Sequence, residues 1–295
     1  MDKRNAKLAA IAVILAGVLW GIISLFVRSL YDAGLDALQI SALRLSVAAV
    51  SFLAALLIGK RSLLKIRLRD IWMFACTGIV SVVLFNTLYF YTTVHSQASV
   101  AVVLLYTSPA FVILLSALLY REKITARKLL ALGMTVGGCV LVSGMLGGGY
   151  ALTPMLLLTG LGSGVFYALY TIFARLALKK YDSMTVTAYT FLMGAIGALP
   201  TGKMGNVLSV LSHAPKLWFS AACIGIVCTV LPYGLYTWGL QRMDSGRASL
   251  LVAVEPLVGA LVGILVFREA CGVWKLLGVA LILGAVCVLS GKEKE

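Results

Sequence analysis

The sequence predicts an all-α membrane protein with ten transmembrane helices, arranged as two inverted five-helix repeats with both termini on the inner side. The first observation behind this is composition: apolar residues make up 61% of the 295, charged residues only 12%, and the mean hydropathy is +1.01. A water-soluble domain carries roughly a quarter charged residues, so lipid must cover this chain. The other two observations are a series of long apolar segments and an internal repeat.

A membrane-spanning helix requires about 20 mostly apolar residues. Ten segments of the sequence meet that requirement, and the connections between them are too short to hold a further domain. These segments are 7–30, 36–58, 69–93, 98–120, 124–145, 153–178, 183–201, 215–240, 246–268 and 272–290.

Lysine and arginine residues predict the orientation of these helices, because both are enriched in cytoplasmic connections. With the N-terminus inside, nineteen of the 25 lie on the inner side and five on the outer side, while Arg44 lies within a span. The net charge of +14 is therefore spread over short clusters between spans, and we expect no nucleic-acid partner. The bias predicts a multi-pass protein of the plasma or inner membrane with both termini inside.

The internal repeat appears when the sequence is shifted by 147 residues. Between 98–144 and 245–291, thirteen of 47 positions are identical without a gap. Each unit holds five spans, an odd number, so the two copies, 1–147 and 148–295, must enter the membrane in opposite directions. Inverted repeats are typical of carriers that expose a midplane site to each side in turn.

The stretch from Ser245 to Gly291, with its weaker copy from Ala98 onward, resembles the closing helices of the drug/metabolite transporter superfamily, specifically its EamA family. A glycine-rich tenth helix matches, together with Glu255, Pro256, Glu269 and Arg44. The resemblance covers essentially the whole chain. It implies a ten-helix bundle that exports amino acids or similar metabolites, with the fifth and tenth helices at the periphery.

Glu255 and Arg44 are the two ionisable side chains well inside predicted spans, where a charge is costly unless it has a role or a partner. At 1.5 Å per residue we place them at similar depths. Two interpretations stay open. They form a buried salt bridge between the second and ninth helices, or they hold opposite ends of a zwitterion, with Glu255 also able to exchange protons. Their repeat mates, Ser108 and Phe191, do not preserve the pair.

Two prolines at matched positions, Pro109 and Pro256, predict kinks in the fourth and ninth helices. Each leaves the carbonyl four residues earlier, at Leu105 or Val252, without its helical donor. Because lipid cannot satisfy a carbonyl, we expect both kinks to face protein or a wet cavity.

Aromatic rings with polar edges cluster at mid-depth, where an interfacial belt is the alternative interpretation. We favour a cavity, since such rings bind amphiphilic or cationic solutes. The predicted substrate-binding residues are Glu255, Arg44, Trp20, Tyr89, Tyr106, Ser108, Tyr167, Tyr236 and Asn86. Glu122 and Glu269, each directly before the next span, are predicted to act as helix caps and gate hinges.

The predicted function is a secondary transporter that exports a small amphiphilic metabolite, such as an amino acid or related amine, by alternating access. Carriers of lipid-linked sugars or polyamines are alternatives. The sequence lacks the motifs of a membrane-embedded enzyme or the filter of a channel, and we expect no catalytic residue, cofactor or metal site. The expected partners are a small-molecule substrate, the lipid bilayer and, as a candidate coupling ion, protons. The oligomeric state is left open.

Overall fold

The computed structural model of the protein describes residues 3–59, 61–95, 101, 104–142, 153–266 and 272–290. Every regular element among these residues is a helix, as the all-α prediction requires. Helices occupy parts of all ten predicted spans, and we number them α1 to α10 in chain order.

Six of these helices are continuous over their described lengths, namely α2 Ala37–Gly59, α4 Ser108–Tyr120, α5 Ala126–Val142, α6 Pro154–Leu178, α7 Ser183–Ala198 and α10 Val273–Ser290. Four change geometry along their length. They are α1 (Lys3–Gly21, then Ile23–Asp32), α3 (Leu68–Asp70, Ile71–Ala75, Cys76–Val83, Leu84–His95), α8 (Leu217–Ala222, Cys223–Val230, Leu231–Leu240) and α9 (Ser245–Leu251, Val252–Val254, Glu255–Leu265).

Five described segments are long and apolar enough to cross a membrane by length and composition. They are Asn5–Asp32, Ala37–Gly59, Leu68–Tyr89, Pro154–Leu178 and Leu217–Leu240. Large apolar side chains on the bundle's outside are widely exposed, as lipid contact demands; Ile58 is 88% exposed and Leu118 77%. The count of ten spans and the inverted arrangement stay predictions at this point.

Helix starts follow from local capping chemistry. The Thr153 hydroxyl accepts the Leu156 N–H at 3.3 Å at the start of α6, and the Asp182 carboxylate accepts the Met184 N–H at 2.9 Å at the start of α7. Such caps satisfy backbone donors that a first helical turn leaves free. Each cap therefore fixes where its span enters the bundle.

One predicted connection is itself helical. After α7 the chain forms a short helix, Met204–His213, in the connection between the predicted spans 183–201 and 215–240. Val207 and Leu211 are both fully buried, and four-residue spacing places them on one helix face. That single apolar stripe is too short for a span, which is why the hydropathy pattern did not reveal it.

The third and eighth helices share an uncommon feature. Each contains an eight-residue π-helical stretch, Cys76–Val83 in α3 and Cys223–Val230 in α8. The two stretches lie exactly one repeat length, 147 residues, apart. Since π-helical turns are rare, their coincidence at matched positions links the two halves of the chain structurally.

Helix packing follows the same relation between the halves. Helix α1 packs against α8, and its counterpart one repeat later, α6, packs against α3. In the same way α1 packs against α9, and α6 packs against α4. Helix α2 packs against α7 and α5 against α10, so in each of these two pairs the helices are counterparts of one another. For these pairs, adding or subtracting five from the helix numbers gives either the same pair or another pair that is present.

Candidate functional site

Tyr233 of α8 lies at the centre of a cluster of aromatic rings. Its ring centroid is 4.9 Å from that of Trp20 in α1, 5.3 Å from Tyr170 in α6 and 4.7 Å from Phe191 in α7, and all three contacts are edge-on. Edge-on ring pairs each contribute about 0.5–1.5 kcal/mol beyond burial. Four helices from both halves of the chain therefore meet at one ring.

Arg44 of α2 borders this cluster. Its side chain is only 8% exposed, and its guanidinium interacts with the Tyr233 hydroxyl. The Arg44 Nε has no hydrogen-bond partner, and among the described residues no carboxylate forms an ion pair with Arg44. A buried charge without a counter-charge is costly, so Arg44 offers a ready position for an anionic group.

Glu255 begins the second half of α9, directly after the 3-10 turn Val252–Val254. A carboxylate at a helix start is stabilised by the free backbone N–H groups there. Glu255 is partly buried and interacts with the Tyr106 hydroxyl, although the geometry of that contact falls short of a full hydrogen bond. Glu255 is also close enough to the Tyr167 hydroxyl to interact with it electrostatically.

Glu255 and Arg44 do not form a salt bridge in this structure. Each lies within the other's electrostatic range, and Tyr233 interacts with both charges. Of the two interpretations that the sequence left open, direct pairing is therefore not the arrangement observed. The two charges instead border the same aromatic cluster.

Three more predicted residues extend the cluster. The Tyr167 ring packs edge-on against Phe85 at 5.2 Å, and Phe85 packs against Tyr89 at 5.8 Å. Tyr236 lies 5.7 Å from Trp20, and its hydroxyl is 2.8 Å from that of Thr171. Tyr236 is 2% exposed, so it packs inside the cluster, while Tyr167 and Tyr89 keep partly accessible surfaces.

Asn86 and Ser108 are both buried, at 2% exposure. The Asn86 Nδ2 has no hydrogen-bond partner among the described residues. Ser108 is the first residue of α4, next to Tyr106 in the turn that precedes the helix. Among the described residues, the Asn86 amide nitrogen forms no hydrogen bond with Glu255, so its link to the site is its neighbour Phe85.

Both prolines occupy the first turn of a helical segment. Pro109 follows a turn at Tyr106–Thr107 and Pro256 follows the 3-10 turn Val252–Val254. Proline suits a first turn because its missing N–H would have no partner there. The Val252 carbonyl, expected to lack a donor, accepts the N–H of Glu255. Local 3-10 geometry thus satisfies that group without a wet cavity.

The close approach of α1 to the break in α9 was not among the predictions from the sequence. A Cβ atom built at Gly17 would lie 2.7 Å from the Val252 carbonyl oxygen, and one at Gly21 would lie 2.5 Å from Val258 Cβ. Only glycine permits such contact. The spacing Gly17-x-x-x-Gly21 is the signal that predicts it, and the contact fixes Trp20 beside the aromatic cluster.

A second group of polar residues lies at the predicted inner ends of the helices. We call it the inner latch and define it as Glu122, Lys128, Arg175 and Asp244. Lys128 Nζ lies 3.2 Å from Asp244 Oδ1 and 3.8 Å from Glu122 Oε2, and an Arg175 nitrogen lies 3.5 Å from Glu122 Oε1. Arg175 also donates to the Met243 carbonyl.

Glu122 acts as a helix cap, but on a different helix from the one expected. It precedes α5, yet its carboxylate accepts the N–H groups of Ser245 at 3.0 Å and Gly246 at 3.4 Å, at the start of α9. The connection after α4 is thereby fastened to α9. Glu269, its mate in the repeat, lies outside the described residues.

In the part of the chain that the structure describes, no three His, Cys, Asp or Glu side chains form a group that could hold a metal ion. The site is instead a buried mixture of rings, one cation and one carboxylate between helices of both halves. Such a site suits the recognition of a small solute held between membrane helices.

The family of the chain is clear from comparison with known proteins. The EamA-like transporter family model matches residues 7–144 and again residues 154–291, and both limits of the second match lie 147 residues beyond those of the first. The chain belongs to this family. It is a multi-pass transporter of the inner membrane rather than an enzyme.

Individual relatives support this assignment. An "Uncharacterized transporter" of Archaeoglobus fulgidus is 31% identical over 287 residues, which cover 94% of each chain. A protein of Streptantibioticus cattleyicolor named "Probable terminal-alkyne amino-acid exporter" is 23% identical over 268 residues, covering 89% of each chain. One solved crystal structure has a TM-score of 0.78 at 21% identity over 95% of both chains, which indicates a shared fold.

Proposed function

We propose that this transporter exports a small amphiphilic metabolite, with an amino acid or related amine as the leading class, by alternating access. Two inverted halves, 1–147 and 148–295, each with five spanning helices, would rock about the aromatic cluster with both termini inside. The matched π-helical stretches, the paired helix contacts and the twofold family match support this architecture.

The observation that carries the proposal is the separation of Arg44 from Glu255. Both charges border one aromatic cluster, yet neither neutralises the other directly. A zwitterion fits this arrangement, because its carboxylate can bind the guanidinium and its ammonium the carboxylate. The rings of Tyr167 and Trp20 are then available for an apolar side chain or for cation–π contact with the ammonium.

One relative supports the choice of cargo. The Streptantibioticus cattleyicolor protein is named an amino-acid exporter, and its similarity extends over 89% of this chain. Amino acids carry the two charges that Arg44 and Glu255 would receive. A polyamine would leave Arg44 without an anionic partner, and a lipid-linked sugar, whose charge is on its phosphate, would leave Glu255 without a cationic one.

The inner latch would keep the inner side closed in the state described here. Glu122 joins the connection after α4 to α9, and Arg175 joins α6 to the same region. Opening inward would require these contacts to separate. In the sequence, the repeat mates of the four latch residues are Glu269, Lys275, Arg28 and the uncharged Gln97.

The cargo is tested in proteoliposomes loaded with labelled amino acids and amines. We expect saturable efflux of at least one amino acid, reduced when Tyr167 is replaced by alanine and unaffected by the lipid-facing change Leu118→Ala. Wild-type efflux equal to that of empty liposomes across the whole panel would exclude this cargo class.

Proton exchange through Glu255 is tested on the same system. If Glu255 carries protons, efflux follows an imposed pH gradient and Glu255→Gln removes that dependence. If Glu255 only receives the ammonium, the gradient has no effect and Glu255→Gln weakens apparent affinity alone.

The orientation is tested by labelling single cysteines in a cysteine-free background. A cysteine at Lys65 should react from inside and one at Gly34 from outside. Labelling of both from the same side would contradict the inverted five-helix arrangement.

A further inference from the structure

A basic cavity lies at the predicted inner end of α3, away from the aromatic cluster. Its volume is about 480 Å³, and its lining includes Lys65, Arg67, Arg69, Asp70, Lys180 and Tyr181. Four cations therefore surround a single carboxylate. The transport site makes no use of these residues.

The one carboxylate in the cavity is already paired. Asp70 Oδ1 accepts the Lys180 Nζ at 2.8 Å, and Asp70 Oδ2 accepts the Tyr181 hydroxyl at 2.7 Å. Among the described residues, Lys65, Arg67 and Arg69 form no ion pair. With four cations and one carboxylate in its lining, the cavity carries a surplus of three positive charges that can attract an external anion.

The segment that carries these charges is held in place by α7 and the residues before it. The Thr185 hydroxyl donates to the Leu63 carbonyl at 2.8 Å, and the Tyr189 hydroxyl donates to the Leu64 carbonyl at 2.7 Å. The Arg67 N–H donates to the Tyr181 hydroxyl at 3.1 Å. A binding surface that is already ordered loses less conformational entropy when it binds.

Exposed apolar side chains lie close in the sequence to the residues that line the cavity. Leu68 is 82% exposed and Trp72 is 48% exposed, at the first turns of the apolar span Leu68–Tyr89. Tryptophan favours the level of lipid headgroups. An anion with acyl chains attached fits this combination better than a free ion does.

We propose that the cavity binds the phosphate headgroup of an anionic phospholipid, with its acyl chains against Leu68 and Trp72. Basic pockets between membrane helices on the cytoplasmic side bind such headgroups. The repeat does not require this site, because the mates of Lys65 and Arg67 are Ser212 and Ala214. The repeat therefore predicts no matching basic cavity at the opposite end of the bundle.

The test compares lipids retained by the purified full-length protein in native mass spectrometry, with phosphatidylglycerol and phosphatidylcholine supplied in equal amounts. The cavity variant is Lys65→Gln with Arg67→Gln and Arg69→Gln. The matched control removes the same charge from the same side through Lys7→Gln, Arg61→Gln and Lys123→Gln. Arg67→Gln alone serves if the triple variant does not fold.

We expect wild type and control to retain phosphatidylglycerol preferentially. Each basic residue near a membrane surface contributes about fivefold to the affinity for anionic lipid, so the triple change should lower it about a hundredfold and Arg67→Gln about fivefold. Equal losses in cavity and control variants would overturn the proposal, because they indicate general charge attraction. Equal retention of phosphatidylglycerol and phosphatidylcholine by the wild type, together with binding of millimolar inorganic phosphate, would equally overturn it, because the ligand would then be the free ion.

Discussion

Charged groups of the inner latch are paired with one another, whereas some polar groups of the aromatic cluster have no partner among the described residues. In the latch, Glu122 accepts two backbone N–H groups and faces two cations, and Lys128 lies between two carboxylates. In the cluster, Arg44 Nε and Trp20 Nε1 have no hydrogen-bond partner in the described part of the chain. Buried polar groups in proteins are normally paired.

This difference separates a structural role from a binding role. A latch whose groups are mutually satisfied stabilises one conformation of the protein. A cluster with unpaired polar atoms leaves those atoms for a ligand, which then contributes the missing contacts. Mutations in the two regions should therefore change different quantities, conformational equilibrium in the latch and ligand affinity in the cluster.

The largest effect is expected from Arg44→Gln. Losing a charged partner for a bound carboxylate costs about 2–5 kcal/mol, so apparent affinity for a transported amino acid should fall by about 30-fold or more. The melting temperature should change little, because Arg44 supports no ion pair in the described residues. Efflux assays and thermal unfolding measure the two quantities.

Arg61→Gln is the control for that change, since Arg61 is exposed on an inner connection. A double-mutant cycle of Arg44→Gln with Glu255→Gln should show a coupling energy in stability below about 1 kcal/mol, the range of weak pairs. A coupling of 3 kcal/mol or more would show that the two residues pair structurally after all.

The next effect is expected from Glu122→Gln, which removes charge from the latch but keeps the side chain's shape. Hydrogen bonds to a charged group contribute about 1.5–3 kcal/mol, and the closed inner side should lose stability on that scale. A cysteine placed at Ser249 in α9 should then react faster with a reagent supplied from inside.

Asp70→Asn provides the comparison for the latch, because Asp70 also pairs at the predicted inner side, with Lys180. It lies outside the latch and should leave the reactivity at Ser249 unchanged. Equal acceleration by both variants would mean that the latch has no special role in closing the inner side.

A third effect concerns the contact of α1 with α9. Gly21→Ala introduces a Cβ atom 2.5 Å from Val258 Cβ, and such overpacking costs about 1–3 kcal/mol. Trp20 should move with α1, so both stability and transport should fall. Gly133→Ala, where no atom lies within 4 Å of the added carbon, should be neutral or slightly stabilising; equal behaviour of the two variants would refute the close contact.

The smallest effect is expected from Tyr106→Phe, which deletes one hydroxyl beside Glu255. Because this contact falls short of a full hydrogen bond, the loss should not exceed the value of about 0.5–1.5 kcal/mol that a single hydrogen bond contributes. Efflux should therefore fall a few-fold at most while the melting temperature holds. Tyr31→Phe, on an exposed ring, is the matched control. A large loss of stability in Tyr106→Phe would indicate that Tyr106 contributes to packing and not to substrate binding.

The sequence predicted the helices well because hydropathy reports which segments leave water. It also singled out Glu255 and Arg44, since charge is rare inside a span. It did not predict that the two charges stay apart, because residue counting estimates depth but not the direction in which a side chain leaves its helix.

Contacts between distant helices were the least predictable. Tyr233 became the centre of the cluster only through the way four helices pack, and Glu122 capped α9 instead of its neighbour α5. Both depend on tertiary arrangement, which local sequence does not encode. The close approach of Gly17 and Gly21 was readable from their four-residue spacing.

The matched π-helical stretches bear on the history of the chain. A π-helical turn accommodates one residue more than the regular α-helical path, and both halves carry it at the same place. If the halves descend from one five-helix ancestor, a single insertion before gene duplication accounts for both stretches. Relatives that consist of one half alone should then carry it too, in the third of their five helices.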